Sequence, residues 1–158
     1  MTDASFLLEY PIYREFDAED IDTLSKICQD KKYAAKETIF MEGDPGDAMY
    51  IIKNGVVKIF KETKNRRKFI ALTSAGEFFG EMALIDGSPR SATVIADADT
   101  DLLMISTVNF KKLKTEYAKT GFKLVDVLLK YMSYRIRRTT KKAASLLKGR
   151  KKKKTKSK

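Results

Sequence analysis

Phe78-Phe79-Gly80-Glu81-Met82-Ala83-Leu84-Ile85-Asp86-Gly87-Ser88-Pro89-Arg90-Ser91-Ala92-Thr93-Val94 places two apolar segments on either side of a turn-rich centre. Gly80, lacking a Cβ, lets the backbone approach a neighbour closely. Glu81 to Ile85 suits a single helical turn after a strand, and such a turn leaves its first N–H groups free for an anion. Asp86-Gly87-Ser88-Pro89 has the composition of a reversing turn. Arg90 follows in or beside a strand, where its guanidinium suits the same anion. Glu81 would repel that anion and instead suits an adjacent pair of hydroxyls, as in a ribose. Spacing alone is equally consistent with a Glu81–Arg90 surface ion pair on an ordinary turn, a contact of little energetic weight.

Outward from this segment, residues 33–110 read as short β-rich runs separated by turn signals. The runs are Glu37–Phe40, Met49–Ile52, Val56–Lys61, Phe69–Thr73, Ala92–Ala96 and Asp101–Ser106. Gly43-Asp44-Pro45-Gly46-Asp47 and Asn54-Gly55 mark turns, the second a tight one because both residues tolerate positive φ. Lys64-Asn65-Arg66-Arg67-Lys68 reads as an exposed hairpin tip. Many short strands at even spacing imply a mainly β fold with flanking helices, a β-roll or jelly roll.

Helical periodicity brackets this region. Residues 20–30 carry Ile21, Leu24, Ile27 and Cys28 at helical spacing, with Asp20 as the expected cap. Val108–Tyr117 reads as a short helix, Gly121 as an interruption, and residues 122–148 as one long helix ended by Gly149. Val125, Met132, Thr139 and Leu146 lie seven apart, as do Leu129, Ile136 and Ala143, so the two series form one apolar stripe. The stripe suits a homodimer seam, or packing against the chain's own barrel. The expected organisation is a β-roll with N-terminal helices over 1–121, a dimerisation helix over 122–148 and a disordered lysine-rich tail over 149–158.

The 158 residues suffice for one compact domain, 43% hydrophobic and 34% charged. No apolar run is long enough to span a bilayer, and the N-terminus lacks a signal-peptide pattern, so a cytoplasmic protein is expected. With no histidine, the commonest general base, the usual triads and histidine metal sites are excluded. The single cysteine, Cys28, precludes an internal disulfide or a cysteine-based zinc site, and its apolar neighbours suggest a buried thiol. Asp97, Asp99 and Asp101 lack the glycine and closing glutamate of a calcium loop and read as a solvated strand edge or turn. No catalytic residue, cofactor or metal is expected. The net charge of +11 is unevenly spread: residues 130–158 hold 14 basic and no acidic residues, whereas 1–129 hold 18 basic against 21 acidic. That is an acidic domain with a basic extension, not a uniformly basic nucleic-acid face.

Residues 79–94 resemble the phosphate-binding cassette of the cyclic nucleotide-binding domain family: Phe-Gly-Glu, a small helix with Ala-Leu, then Pro-Arg, a small residue and Ala-Thr. Upstream, Gly43, Asp44, Gly46, Asp47, Tyr50, Ile52 and Gly55 stand where that family has its turn and barrel residues. The resemblance covers about residues 10–148. It implies that Glu81 accepts from the ribose 2′-hydroxyl and that Arg90 pairs with the exocyclic phosphate oxygens. It further implies that Gly80 keeps the wall close, and that the N–H groups of Met82 and Ala83, with Ser91 or Ala92, complete the cradle. Ile59 and Ile70 would line the base side, although core aliphatics are the default at inward strand positions. Met132–Lys142 resembles the dimerisation helix of bacterial cAMP receptor proteins, where a Thr-Ser pair reaches the adenine amino group. Thr139-Thr140 occupy the matching positions, with a mere polar break in the seam as the alternative for Thr139. Arg135, one turn earlier, would approach Glu81 or the phosphate.

The resemblance implies a non-enzymic cAMP sensor, with cGMP as the alternative because Ser91 suits either nucleotide. The bacterial transcription factors continue into a winged helix-turn-helix, whereas this sequence continues into Lys148–Lys158, with eight positive charges and no aromatic residue. Sequence-specific DNA reading is therefore not expected. Output is expected through dimer rearrangement, an effector protein, or the tail. The tail suits non-specific nucleic acid, an anionic membrane or an acidic protein, or serves only solubility. A rival reading makes the fold a lapsed receptor retained for dimerisation, against which the paired Glu81 and Arg90 argue.

Overall fold

The computed structural model describes the backbone of residues 2–155 and the side-chain environments of residues 2–146. The chain divides into two compact units, Met1–Lys123 and Leu124–Lys158.

The first unit is a two-sheet β-roll with helices at its ends. Two 3-10 turns, Ser5–Glu9 and Pro11–Tyr13, lead into α1 (Ala18–Ile27). Strands β1 (Gln29–Tyr33), β2 (Thr38–Phe40), β3 (Ala48–Asn54), β4 (Val56–Thr63), β5 (Arg66–Ser74) and β6 (Phe78–Phe79) follow. The one-and-a-half-turn α2 (Glu81–Asp86), β7 (Thr93–Ala96), β8 (Thr100–Ser106) and α3 (Thr107–Glu116) complete the unit. One sheet has the order β1-β8-β3-β6 and the other β2-β7-β4-β5, and the pairings are antiparallel. The core lies between them: Tyr50, Ile52, Phe79 and Leu102 from one sheet meet Val57, Ile59 and Val94 from the other. Apolar residues at every second position make this possible, since alternate side chains of a strand share a face.

Several expected boundaries shift, each for a local reason. Asp17, not Asp20, caps α1: its side chain accepts from the Asp20 N–H at 3.0 Å while the Asp20 carboxylate accepts from the Asp17 N–H at 2.9 Å. Asp20 is thus the reciprocal half of a capping box, and it also bonds the Thr120 hydroxyl at 2.6 Å and pairs with Lys123. Helix α1 ends at Ile27 because Gln29–Tyr33 is drawn into the sheet beside β8. The Asn54-Gly55 turn joins strands of different sheets and makes a corner rather than a hairpin. Gly55 has φ 94°, and a Cβ there would lie 2.5 Å from the Thr100 hydroxyl. The β4–β5 hairpin tip is narrower than Lys64–Lys68: only Lys64-Asn65 turns, and Arg66 already pairs with Thr63. Asp97 pairs with Lys58 and Asp101 with Lys32, while Asp99 accepts from the Ala35 N–H.

Helix α4 runs Ala118–Thr155 through both Gly121 and Gly149, the expected interruption and end, so the expected boundaries at 122, 148 and 149 are not element boundaries. One glycine costs a helix about 1 kcal/mol relative to alanine. Lysines, which are good helix formers, surround Gly149, and cations near a helix C-terminus are favoured by its dipole. Within the second unit, Leu124, Val127 and Leu128 are buried, whereas Leu129, Ile136 and Leu146 of the seven-residue stripe are exposed. Val125 and Met132 of the stripe are half-buried, and Leu128, one turn from each, is buried, so exposure of the stripe increases toward the C-terminal part of the helix.

Candidate functional site

The site is built where the β2–β3 loop, β6, α2 and the residues before β7 meet. Gly80 ends β6 and caps α2 with φ 78°, a left-handed conformation that favours glycine. A Cβ there would sit 2.8 Å from an Arg90 guanidinium nitrogen and 3.3 Å from the Ala48 carbonyl oxygen. Gly87 closes α2, also left-handed at φ 71°, with its N–H donating to the Ala83 carbonyl. Gly46 packs directly on α2: a Cβ on it would fall 2.0 Å from the Ala83 Cβ. The Arg90 backbone is tied to the same loop, its N–H donating to the Asp44 carbonyl at 2.8 Å and its carbonyl accepting from the Gly43 N–H at 2.9 Å.

Arg90 is the chemical centre. Its side chain is 2% exposed, yet its guanidinium is held at several points. Nη1 donates to the Ala48 carbonyl at 2.7 Å and to the Gly80 carbonyl at 3.1 Å, and Nη2 donates to Asp47 Oδ1 at 3.0 Å. The Phe40 ring lies 4.1 Å from the guanidinium carbon and adds a cation–π contact. The Arg90 Nε–H is buried without an acceptor among the described residues. An unsatisfied buried donor costs about 1–3 kcal/mol, so the arrangement favours an incoming acceptor, and an anion most of all. Behind Arg90, Tyr50 stacks on Phe79 with ring centroids 5.3 Å apart. Burial pushes the Tyr50 phenol up to about 12, so it presents a neutral hydroxyl.

The structure gathers Gly80, Glu81, Met82, Ala83, Arg90, Ser91 and Ala92 in one unit around α2. Glu81 and Ala83 are buried and Met82 is exposed. The Ser91 hydroxyl donates to Met82 Sδ at 3.8 Å, and Ala92 is half-buried. Ile59 lies in the inter-sheet core. Ile70, expected to face inward, is instead exposed: Phe60 pairs with Phe69 and Ile59 with Ala71, so Ile70 is the extra residue of a β-bulge. Periodicity alone cannot reveal that displacement. Thr139, Thr140 and Arg135 belong to the other unit. Thr139 and Thr140 are exposed, the Thr139 hydroxyl donating to the Arg135 carbonyl at 3.0 Å, and the Arg135 guanidinium lies 5.8 Å from the Tyr131 ring centre.

Sequence reasoning passed over Phe40 and the Ala48 carbonyl, and took Gly46 and Asp47 only as turn residues. Asp47 carried no local signal of this role, since a loop carboxylate is satisfied by water and its side chain remains largely exposed; all four depend on tertiary approach. A separate hollow of about 380 Å³, lined by Lys32, Tyr33, Ala34, Asn54, Asp99, Thr100 and Asp101, contains none of the cassette residues. Among the described residues no cluster of acidic or cysteine side chains suits a metal ion, and no helix is long and apolar enough to cross a membrane.

Residues 30–117 match the family model for the cyclic nucleotide-binding domain. The cyclic AMP receptor protein of Thermus thermophilus is 34% identical over 96 residues, which is 60% of this chain and 44% of that protein. A cAMP-dependent protein kinase regulatory subunit of Aspergillus fumigatus is 34% identical over 69% of this chain and 26% of its own length. This chain therefore spans less than half of either relative. Among solved structures, a cyclic nucleotide-binding domain from Methylobacillus flagellatus superposes with a TM-score of 0.79 at 30% identity, covering 87% of this chain and 78% of that one. The regulatory domain of Toxoplasma gondii PKA with cAMP gives a TM-score of 0.68 at 26% identity, over 82% of this chain and 48% of that one. With the match extending over β1–β8 and the cassette between them, this chain belongs to the cyclic nucleotide-binding domain family.

Proposed function

We propose that the protein is a cytoplasmic, non-enzymic cAMP receptor that signals through its long helix. The observation that carries the reading is the buried Arg90, fixed at the Gly80 entrance of α2 with its Nε–H unclaimed. The cyclic phosphate would take that donor together with the amides of Met82 and Ala83 and of Ser91 or Ala92. Glu81 would accept from the ribose 2′-hydroxyl. By resemblance, Thr139 or Thr140 would read the adenine, and Arg135 would approach Glu81 or the phosphate. Ile59 supports the base wall from the core, and Ile70 would do so only by moving from its exposed bulge.

Signalling in this reading is a population shift: the ligand favours one arrangement of α4 over another and needs only differential affinity for the two. A homodimer through 122–148 is supported by the exposure of Leu129, Ile136 and Leu146 along one stripe, a pattern costly to leave in water. An effector protein, a non-specific nucleic acid or an anionic membrane would meet the basic run 148–158.

Titration calorimetry tests the reading. Arg90→Ala is expected to weaken cAMP binding at least about tenfold, the equivalent of roughly 1.4 kcal/mol, and cGMP competing in the same titration is expected to bind more weakly than cAMP. Unchanged affinity in the variant would remove the cassette assignment.

A further inference from the structure

Beside the cassette lies a polar network that the site as described does not use. Lys61, on β4, donates to Glu42 Oε1 at 2.7 Å and to the Ser91 carbonyl at 2.9 Å. Glu42 is itself anchored: its Oε2 accepts from the Glu62 N–H at 2.8 Å, and its own N–H donates to the Thr93 hydroxyl at 3.0 Å. That hydroxyl donates in turn to Glu62 Oε1 at 2.9 Å, which also accepts from Arg67 Nε at 2.9 Å. The Lys61 ammonium, with the Glu62 N–H beside it, holds the Glu42 carboxyl below the usual range. The carboxylate therefore stays charged at neutral pH and keeps the ammonium in place.

The consequence falls on one peptide group. The Ser91 carbonyl and the Ala92 N–H belong to the same planar trans peptide and point in opposite directions. An ammonium that fixes the carbonyl on one side fixes the aim of the Ala92 amide on the other. Arg90 precedes this peptide directly, its backbone already tied to Gly43 and Asp44. Resting on the proposed cAMP reading, we infer that Lys61 is a positioning residue: it sets the orientation of the Ser91–Ala92 peptide and so decides which of the two exocyclic phosphate oxygens the Ala92 amide meets. Lys61 acts from behind the peptide and does not touch the nucleotide. Glu42 is its anchor, which explains a carboxylate standing so near an anion site.

The two exocyclic oxygens become distinguishable when one is replaced by sulfur, so the probes are cAMP and its Sp and Rp phosphorothioate diastereomers, titrated into the full chain. Lys61→Met is expected to weaken cAMP about tenfold and to change the Sp-to-Rp ratio of dissociation constants about fivefold or more. Glu42→Gln, which keeps the ammonium but loosens its anchor, is expected to shift the ratio in the same direction by less. Lys61 is exposed, so its variant is expected to melt near the wild type. If Lys61→Met weakens both diastereomers equally, or leaves affinity and ratio unchanged, while Arg90→Ala weakens cAMP at least about tenfold, the positioning role is overturned and the receptor reading stands. If Arg90→Ala also binds as the wild type does, both fall.

Discussion

Gly46→Ala is the most direct test of how the β2–β3 loop holds the cassette. Gly46 does not have a left-handed backbone, so alanine there adds no conformational strain. It adds a methyl group whose carbon would lie 2.0 Å from the Ala83 Cβ, 3.0 Å from the Ser88 carbonyl oxygen and 3.2 Å from the Ala83 Cα. Carbon atoms rest about 3.5–4.0 Å apart, so the loop and α2 must separate by about 1.5 Å or more. Ala83 is buried and has no rotamer by which to escape, so the helix itself has to move. Overpacking of this kind costs about 1–3 kcal/mol of stability. Movement of α2 also carries Glu81 and the first-turn amides away from Arg90, which is fixed to Ala48 and Asp47 on the other side. Losing one or two hydrogen bonds to a charged group, at about 1.5–3 kcal/mol each, corresponds to at least about a tenfold loss of cAMP affinity.

Calorimetry with cAMP and thermal unfolding, run on the same samples, read the two effects. Gly43→Ala is the control: it has φ 89° but nothing within 4 Å of an added Cβ, so it is expected to cost stability through backbone strain alone. Adding Ala83→Gly to Gly46→Ala removes the worst contact and is expected to recover part of the lost affinity, an interaction a double-mutant cycle measures. Wild-type affinity and melting temperature in Gly46→Ala would refute the reasoning.

Two further outcomes follow from the same structure. Burial pushes the Cys28 thiol up from 9.0 to about 12; between those values the native state holds a proton that the unfolded chain has lost, so stability falls as pH rises through that window. Cys28→Ala is expected to flatten this alkaline limb in denaturant titrations, and a thiol reagent at pH 8 is expected to label the wild type only on unfolding. Replacing Leu129 and Ile136, both exposed, by glutamate is expected to lower the sedimentation-equilibrium mass from dimer to monomer without reducing the β-sheet signal in circular dichroism; a monomeric wild type would dispose of the seam.

The β-roll and the cassette were legible because their signals are local. The unbroken apolar run Met49–Ile52 is too short for a helix and has turn residues on both sides, and Gly80 and the Asp86–Pro89 turn bracket a helix of only six residues. Arg90 stood out because it follows a reversing turn that returns its guanidinium toward the small helix, although spacing alone equally allowed a surface pair with Glu81. The helix boundaries were less legible because caps compete: Asp17 and Asp20 both have the chemistry of an N-cap, and the reciprocal geometry with Thr120 and Lys123, a hundred residues away in sequence, fixes their roles. Gly121 and Gly149 were read as breaks, yet a long helix absorbs about 1 kcal/mol per glycine when its neighbours favour helix.

From the sequence alone came six of the eight strands, the small helix with its following arginine, the seven-residue apolar spacing and the segregation of charge, all properties of residues near one another in the chain; β1, read in part as the end of the first helix, did not. Tertiary structure alone decided that Ile70 is displaced outward by a bulge, that Gly46 touches Ala83, that Phe40, Ala48 and Asp47 hold the Arg90 guanidinium, and that Lys61 reaches the Ser91 carbonyl. Each of these depends on distances between segments far apart in sequence, and such distances are set by strand register and sheet packing, which no local pattern encodes.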